Sequence, residues 1–64
     1  MFLELTQRRY GNKVLINVDN IETIETSGLN KGTDITLISD YVIKVKESYD
    51  DIKKLLDIGL SLRG

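Results

Sequence analysis

At 64 residues, with a net charge of −1 and no Cys, His, Pro or Ala, the chain is one domain at most. That composition removes disulfides, thiolate metal sites, imidazole bases and imidazole ligands, and it supplies no basic bulk to attract nucleic acid or anionic lipid. A domain this small buries only about 60% of the surface its unfolded chain exposes, so without staples it relies on tight packing or self-association.

No apolar run approaches the roughly 20 residues of a membrane span. Glu4 and the Arg8-Arg9 pair interrupt the N-terminus before a signal-peptide core could form. These features point to a soluble, cytoplasmic protein. The lack of Pro and Ala beside abundant Ile and Lys is the bias of an AT-rich genome, which makes a bacterial or phage origin the expectation.

Residues 2–6 alternate, with Leu3 and Leu5 on one face and Glu4 and Thr6 on the other, and predict a first strand. A polar stretch, 7–12, reads as a hairpin loop with Gly11-Asn12 as its turn. Residues 13–17 form the second strand, with Val14 and Ile16 sharing a face and Leu15 opposed. Val18, Ile21 and Ile24 are spaced by three, which breaks strand alternation. Asp19-Asn20 suit a tight bend because their side chains bond nearby backbone. A single helical turn is expected there, dropping Ile21 into the core. The third strand is 22–26.

Residues 27–32, Ser-Gly-Leu-Asn-Lys-Gly, form the most flexible loop by composition. The fourth strand is 33–38, Ser39-Asp40 is a two-residue turn, and the fifth strand is 41–46. Ser48 followed three residues later by Asp51 is a capping-box signal, and Glu47, Asp50 and Asp51 complement the helix dipole. Tyr49, Ile52, Leu55 and Leu56 fall on one face of the helix, which is expected to run from 49 to about 58. Gly59 can end it, with Leu60 returning to Leu55 and Leu62-Arg63 as a tail; the alternative is a helix that continues through Gly59.

The fold class is therefore α+β: one domain, 1–64, with a five-stranded antiparallel meander, open or rolled like a barrel, under one C-terminal amphipathic helix. Phe2, Leu15, Ile38 and Val42 fall on the strand faces the helix cannot cover. With Leu29 in the long loop they are the candidate oligomer or partner surface. Homo-oligomerisation is the expectation, and a rolled sheet that uses both faces internally is the alternative.

Catalytic signals are weak. Asp50 and Asp51 are adjacent, so they do not face each other on a helix, and capping explains both. Asp19, Glu22 and Glu25 match no known cation loop. The serines have no His partner. Arg8, Arg9, Tyr10 and Lys13, with Lys44 and Lys46 on a later strand, form the one basic set with an aromatic. They could hold single-stranded nucleic acid by phosphate contact and stacking; the ordinary reading is a charged edge that resists aggregation. No catalytic residue, metal ligand or cofactor is assigned.

Several segments resemble the small flagellar FlbD/SwrD-like family and its phage-borne relatives, in the same order along nearly the whole chain. They are Leu5-Thr6, Ile16-Asn17 followed by Ile21, Ile24-Glu25, Thr33 to Leu37, and Val45-Lys46-Glu47-Ser48 before the acidic helix. The likeness implies an accessory protein without known catalysis, and implies neither a flagellum nor a particular partner. This chain departs from the family in carrying Ser39-Asp40 in place of Asn-Gly and in its longer 27–32 loop. Residues 5–16 are also similar to the opening hairpin of CsrA-type RNA-binding regulators. That family's RNA-contacting arginines fall where this chain has Gln7 and, approximately, Glu47, and loss of those guanidiniums counts against the same RNA mode.

Overall fold

The computed structural model describes residues 1–28 and 32–63, with 58–63 as helix backbone. The order is β1 (Phe2–Thr6), β2 (Lys13–Asn17), a 3₁₀ turn (Val18–Asn20), β3 (Ile21–Thr26), β4 (Thr33–Leu37), β5 (Val42–Val45) and α1 (Tyr49–Arg63). All strand pairs are antiparallel. The architecture is α+β.

The single meander resolves into two sheets, β1–β2 and β3–β4–β5, which do not close into a barrel. They are joined at one corner, where the chain beyond β1 meets the end of β5. Gln7 bridges Val45, Lys46 N–H donates to Thr6 O (2.9 Å), and Arg8 N–H donates to Lys44 O (3.0 Å). The ladder stops there because the Glu47 side chain takes the next position. Its carboxylate accepts from the Thr6 N–H and from the Thr6 hydroxyl, both at 2.9 Å. The Glu47 carbonyl accepts from the buried Thr33 hydroxyl at 2.8 Å. Glu47 thus ties β1 to β4 at the start of the helix, in addition to the dipole role its position suggested.

The core sits between the sheets and under the helix. Leu3, Leu5, Ile16, Ile35, Val45 and Ile52 are its buried aliphatics, and Val14, Val18, Ile21, Ile24, Ile43 and Leu56 are half-buried against them. Period-two alternation therefore sorts β1, β2, β4 and β5 correctly, whereas β3 begins at Ile21, one residue earlier than expected, and a bulge between Ile21 and Thr23 lets Ile21 and Ile24 both face inward. The 3₁₀ turn appears at the expected bend, but its side-chain bond comes from Asn17, whose Oδ1 accepts from the Asp19 N–H (3.1 Å).

Other boundaries shift for local reasons. The first hairpin loop is Arg8 to Gly11, closed by Gln7 and Asn12, with Gly11 at φ 72°. The β4–β5 loop has three residues, Ile38 to Asp40, closed by Leu37 and Tyr41. Asp40, at φ 69°, takes the left-handed position this loop needs, which an aspartate tolerates. Ile38 thereby leaves the strand.

Ser48 Oγ accepts from the Asp51 N–H at 3.1 Å, as a cap should. The helix then continues through Gly59 to Arg63, because a helical glycine costs about 1 kcal/mol without forbidding the helix. The expected Leu60–Leu55 contact lies outside the described side chains. The apolar stripe is narrower than its spacing implied: Ile52 is buried and Leu56 half-buried, but Leu55 is 41% exposed. Among the described residues no helix is long and apolar enough to cross a membrane.

Candidate functional site

The apolar candidates face outward but do not form one patch. Phe2 (61% exposed) and Leu15 (63%) lie on the outer face of β1–β2. They are diagonal neighbours, since Phe2 pairs with Asn17 and Leu15 with Glu4. Ile38 and Val42 are also exposed, but they belong to the other sheet, at and beside the β4–β5 loop. Leu29 lies outside the described residues. Tyr10 and Tyr41, which sequence patterning did not assign to the apolar surface, are both largely exposed.

The basic candidates converge on the first hairpin and β5. A cleft of about 330 Å³ opens where the β1–β5 ladder ends, with Arg8, Arg9 and Tyr10 on one wall and Tyr41, Val42 and Lys44 on the other. Arg9 stacks its guanidinium over Tyr10 at 5.2 Å from the ring centre.

Most of the positive charge already has a partner. Arg8 donates to Ser27 Oγ (2.7 Å) and stands 3.8 Å from Asp34. Lys44 Nζ donates to Asp34 at 3.0 Å. Lys13 Nζ donates to the Thr6 hydroxyl at 2.9 Å. Arg9 and Lys46 are the two members of the set without an ion pair or side-chain hydrogen bond among the described residues.

Asp34 is the residue that sequence reading missed. It lies directly opposite Lys44 in the β4–β5 register, a signal visible only once the three-residue loop is known. The Lys44 hydrogen bond is the main reason its carboxyl titrates below its ordinary range; burial opposes this and Arg8 assists. Arg8 reaches Ser27 past Gly32. A Cβ at Gly32 would lie 2.5 Å from the Val45 carbonyl oxygen, and the residue sits at φ 147°, so glycine is required there.

Among the described residues no three acidic side chains gather as a metal site, and Asp19, Glu22 and Glu25 stay apart. No protein-family profile, curated protein or solved structure matches the chain.

Proposed function

We propose that this chain is a non-enzymatic interaction module that self-associates, an accessory or regulatory protein of bacterial or phage origin working in the cytoplasm. The carrying observation is the exposure of Phe2, Leu15, Ile38 and Val42 on outer strand faces and a loop tip, in a domain with six buried aliphatics among the described residues. A lone exposed hydrophobic needs no explanation, but several on the faces of so small a domain favour a partner surface. The resemblance to FlbD/SwrD-like proteins supports the accessory role, and the absence of His and Cys supports the non-enzymatic reading. Light scattering from micromolar to millimolar protein tests self-association. A mass that rises with concentration is expected; a strict monomer throughout removes the reading.

The cleft supports a second reading, an RNA- or DNA-binding regulator using Arg8, Arg9, Tyr10, Lys13, Lys44 and Lys46. Its favouring feature is the pairing of Arg9, Tyr10 and Tyr41 around one opening. Its weakness is that Arg8 and Lys44 already share Asp34, which offsets one of their two charges. Polarisation titration with single-stranded RNA at two salt concentrations separates the readings: salt-dependent binding supports the second, and no binding at low salt removes it.

A further inference from the structure

We infer that self-association runs through the free edge of β2, where a second copy adds its own β2 antiparallel, with Leu15 opposite Leu15. This rests on the self-association proposed above and says which surface performs it.

Hydrogen-bond parity identifies the available groups. Gln7 N–H donates to Asn12 O (2.8 Å) and Val18 N–H to Met1 O (2.9 Å). With the observed register, residues 12, 14, 16 and 18 therefore turn their backbone groups toward β1. Lys13, Leu15 and Asn17 turn theirs away, and β2 has no second neighbour among the described residues. Among those residues both backbone groups of Leu15 and the N–H groups of Lys13 and Asn17 are unpaired. The Lys13 carbonyl takes a long 3.5 Å bond from Asn12 Nδ2 and the Asn17 carbonyl opens the 3₁₀ turn, each keeping a second lone pair, so the edge is a template for strand addition.

The opposite terminal edge, β3, is guarded. It carries a bulge between Ile21 and Thr23, has Glu22 and Glu25 along it, and packs beside α1. β2 carries no bulge and no glycine, and Lys13 at its start is its one charge.

The same parity selects the register. Outward residues can bond only outward residues of the partner strand. Centring on Leu15 pairs Lys13 with Asn17 of the second copy, Leu15 with Leu15, and leaves none of the three unused. Slipping by two residues strands one of them, and slipping by four sets Lys13 against Lys13.

In the centred register both faces match. On the inner face half-buried Val14 meets Ile16 of the second copy and extends the aliphatic row of Leu3 and Leu5. On the outer face the two exposed Leu15 side chains meet, with Phe2 of each copy diagonal to its own Leu15. No like charges stand directly opposite each other.

The chain has no cysteine, which allows a clean test. Residues in a hydrogen-bonded antiparallel pair have Cα atoms about 5.5 Å apart, within disulfide reach. Leu15→Cys should therefore form a covalent dimer in a glutathione buffer under native conditions, well above a Thr23→Cys control on the guarded edge. Leu15→Lys should stay monomeric at concentrations where the native chain associates, with its dilute-solution melting unchanged because Leu15 is 63% exposed. Equal cross-linking by the two cysteine variants overturns the inference. If the native chain associates and Leu15→Lys associates equally well, self-association stands and the β2 edge falls. If the native chain is monomeric throughout, both fall.

Discussion

The two sheets share one inner pattern and differ on their outer faces. Both turn aliphatics inward, Leu3, Leu5 and Ile16 from one and Ile35 and Val45 from the other. The outer face of β3–β4–β5 is crossed by Arg8 and Lys44, which share the carboxylate of Asp34, and its exposed apolar side chains, Val42 and Ile38, stand at the end by the β4–β5 loop. On the outer face of β1–β2 the polar side chains Lys13, Thr6 and Asn17 bond near the ends of the strands, and Phe2 and Leu15 are left in water. On the three-stranded face charged and apolar side chains are mixed, whereas on the two-stranded face Phe2 and Leu15 stand side by side as diagonal neighbours. The two-stranded sheet is therefore the one whose exposed apolar pair borders a strand with no second neighbour among the described residues.

The two sheets share one interior, and truncating it should have the largest effect. Ile52 is fully buried in the core to which both sheets contribute, whereas Leu55, one turn along the same helix, is 41% exposed. Ile52→Ala should cost about 3 kcal/mol, the usual scale for truncating a buried aliphatic. Leu55→Ala should cost well under half of that. Thermal melts of the two variants check the ranking; equal losses would mean that the helix is rotated from the orientation described.

The corner that joins the sheets gives the next largest effect. Glu47→Ala removes the acceptor of the Thr6 N–H and hydroxyl, and should cost about 2 kcal/mol, the scale of a charged hydrogen-bond partner lost from a half-buried donor. For a domain near this size each kcal/mol lowers Tm by roughly 4–8 °C. The bond also predicts a pH dependence. Burial is the largest influence on the Glu47 carboxyl and pushes its pKa up, but the Thr6 and Glu47 backbone N–H groups, the Thr6 hydroxyl and Lys13 together hold it below its ordinary 4.5. A carboxyl depressed by folding adds stability that is complete above its unfolded value and is lost as pH falls through the folded one. The Tm of the native chain should be steady near neutrality and drop on acidification through the carboxyl range. Glu47→Gln should flatten part of that drop, and an unchanged acid profile would remove Glu47 from the account.

Strand alternation made most of this fold legible, because burial on one sheet face writes itself into every second residue: Leu3 and Leu5, Val14 and Ile16, Ile43 and Val45. The helix start was legible for the same local reason, and Ser48→Ala should cost about 1 kcal/mol, measurable as a modest Tm loss. What was hidden depends on register between distant segments. Gln7 against Val45 leaves no periodic trace, so the split into two sheets could not be read. The position of Asp34 opposite Lys44 depends on one extra residue in a loop that Asp40 makes possible. Leu55 was assigned to the buried stripe because spacing reports a helix face, whereas the width of the contact is set by how much sheet lies beneath it.

The smallest predicted effect bears most directly on the contrast between outer faces. Lys44 is about half exposed, so its bond to Asp34 is screened, and Lys44→Ala should cost only about 0.5 kcal/mol. That loss should shrink further in high salt, since the pair is electrostatic and open to water. Leu15→Ser on the other outer face should leave dilute-solution stability unchanged and insensitive to salt, because an exposed leucine gives up nothing to the monomer when it is replaced. The pair of variants measures two kinds of surface by their response to one variable. If Leu15→Ser lowered the melting temperature of dilute protein as much as an interior truncation does, the leucine would be buried within a single chain, and the first sheet would have no unmet face at all.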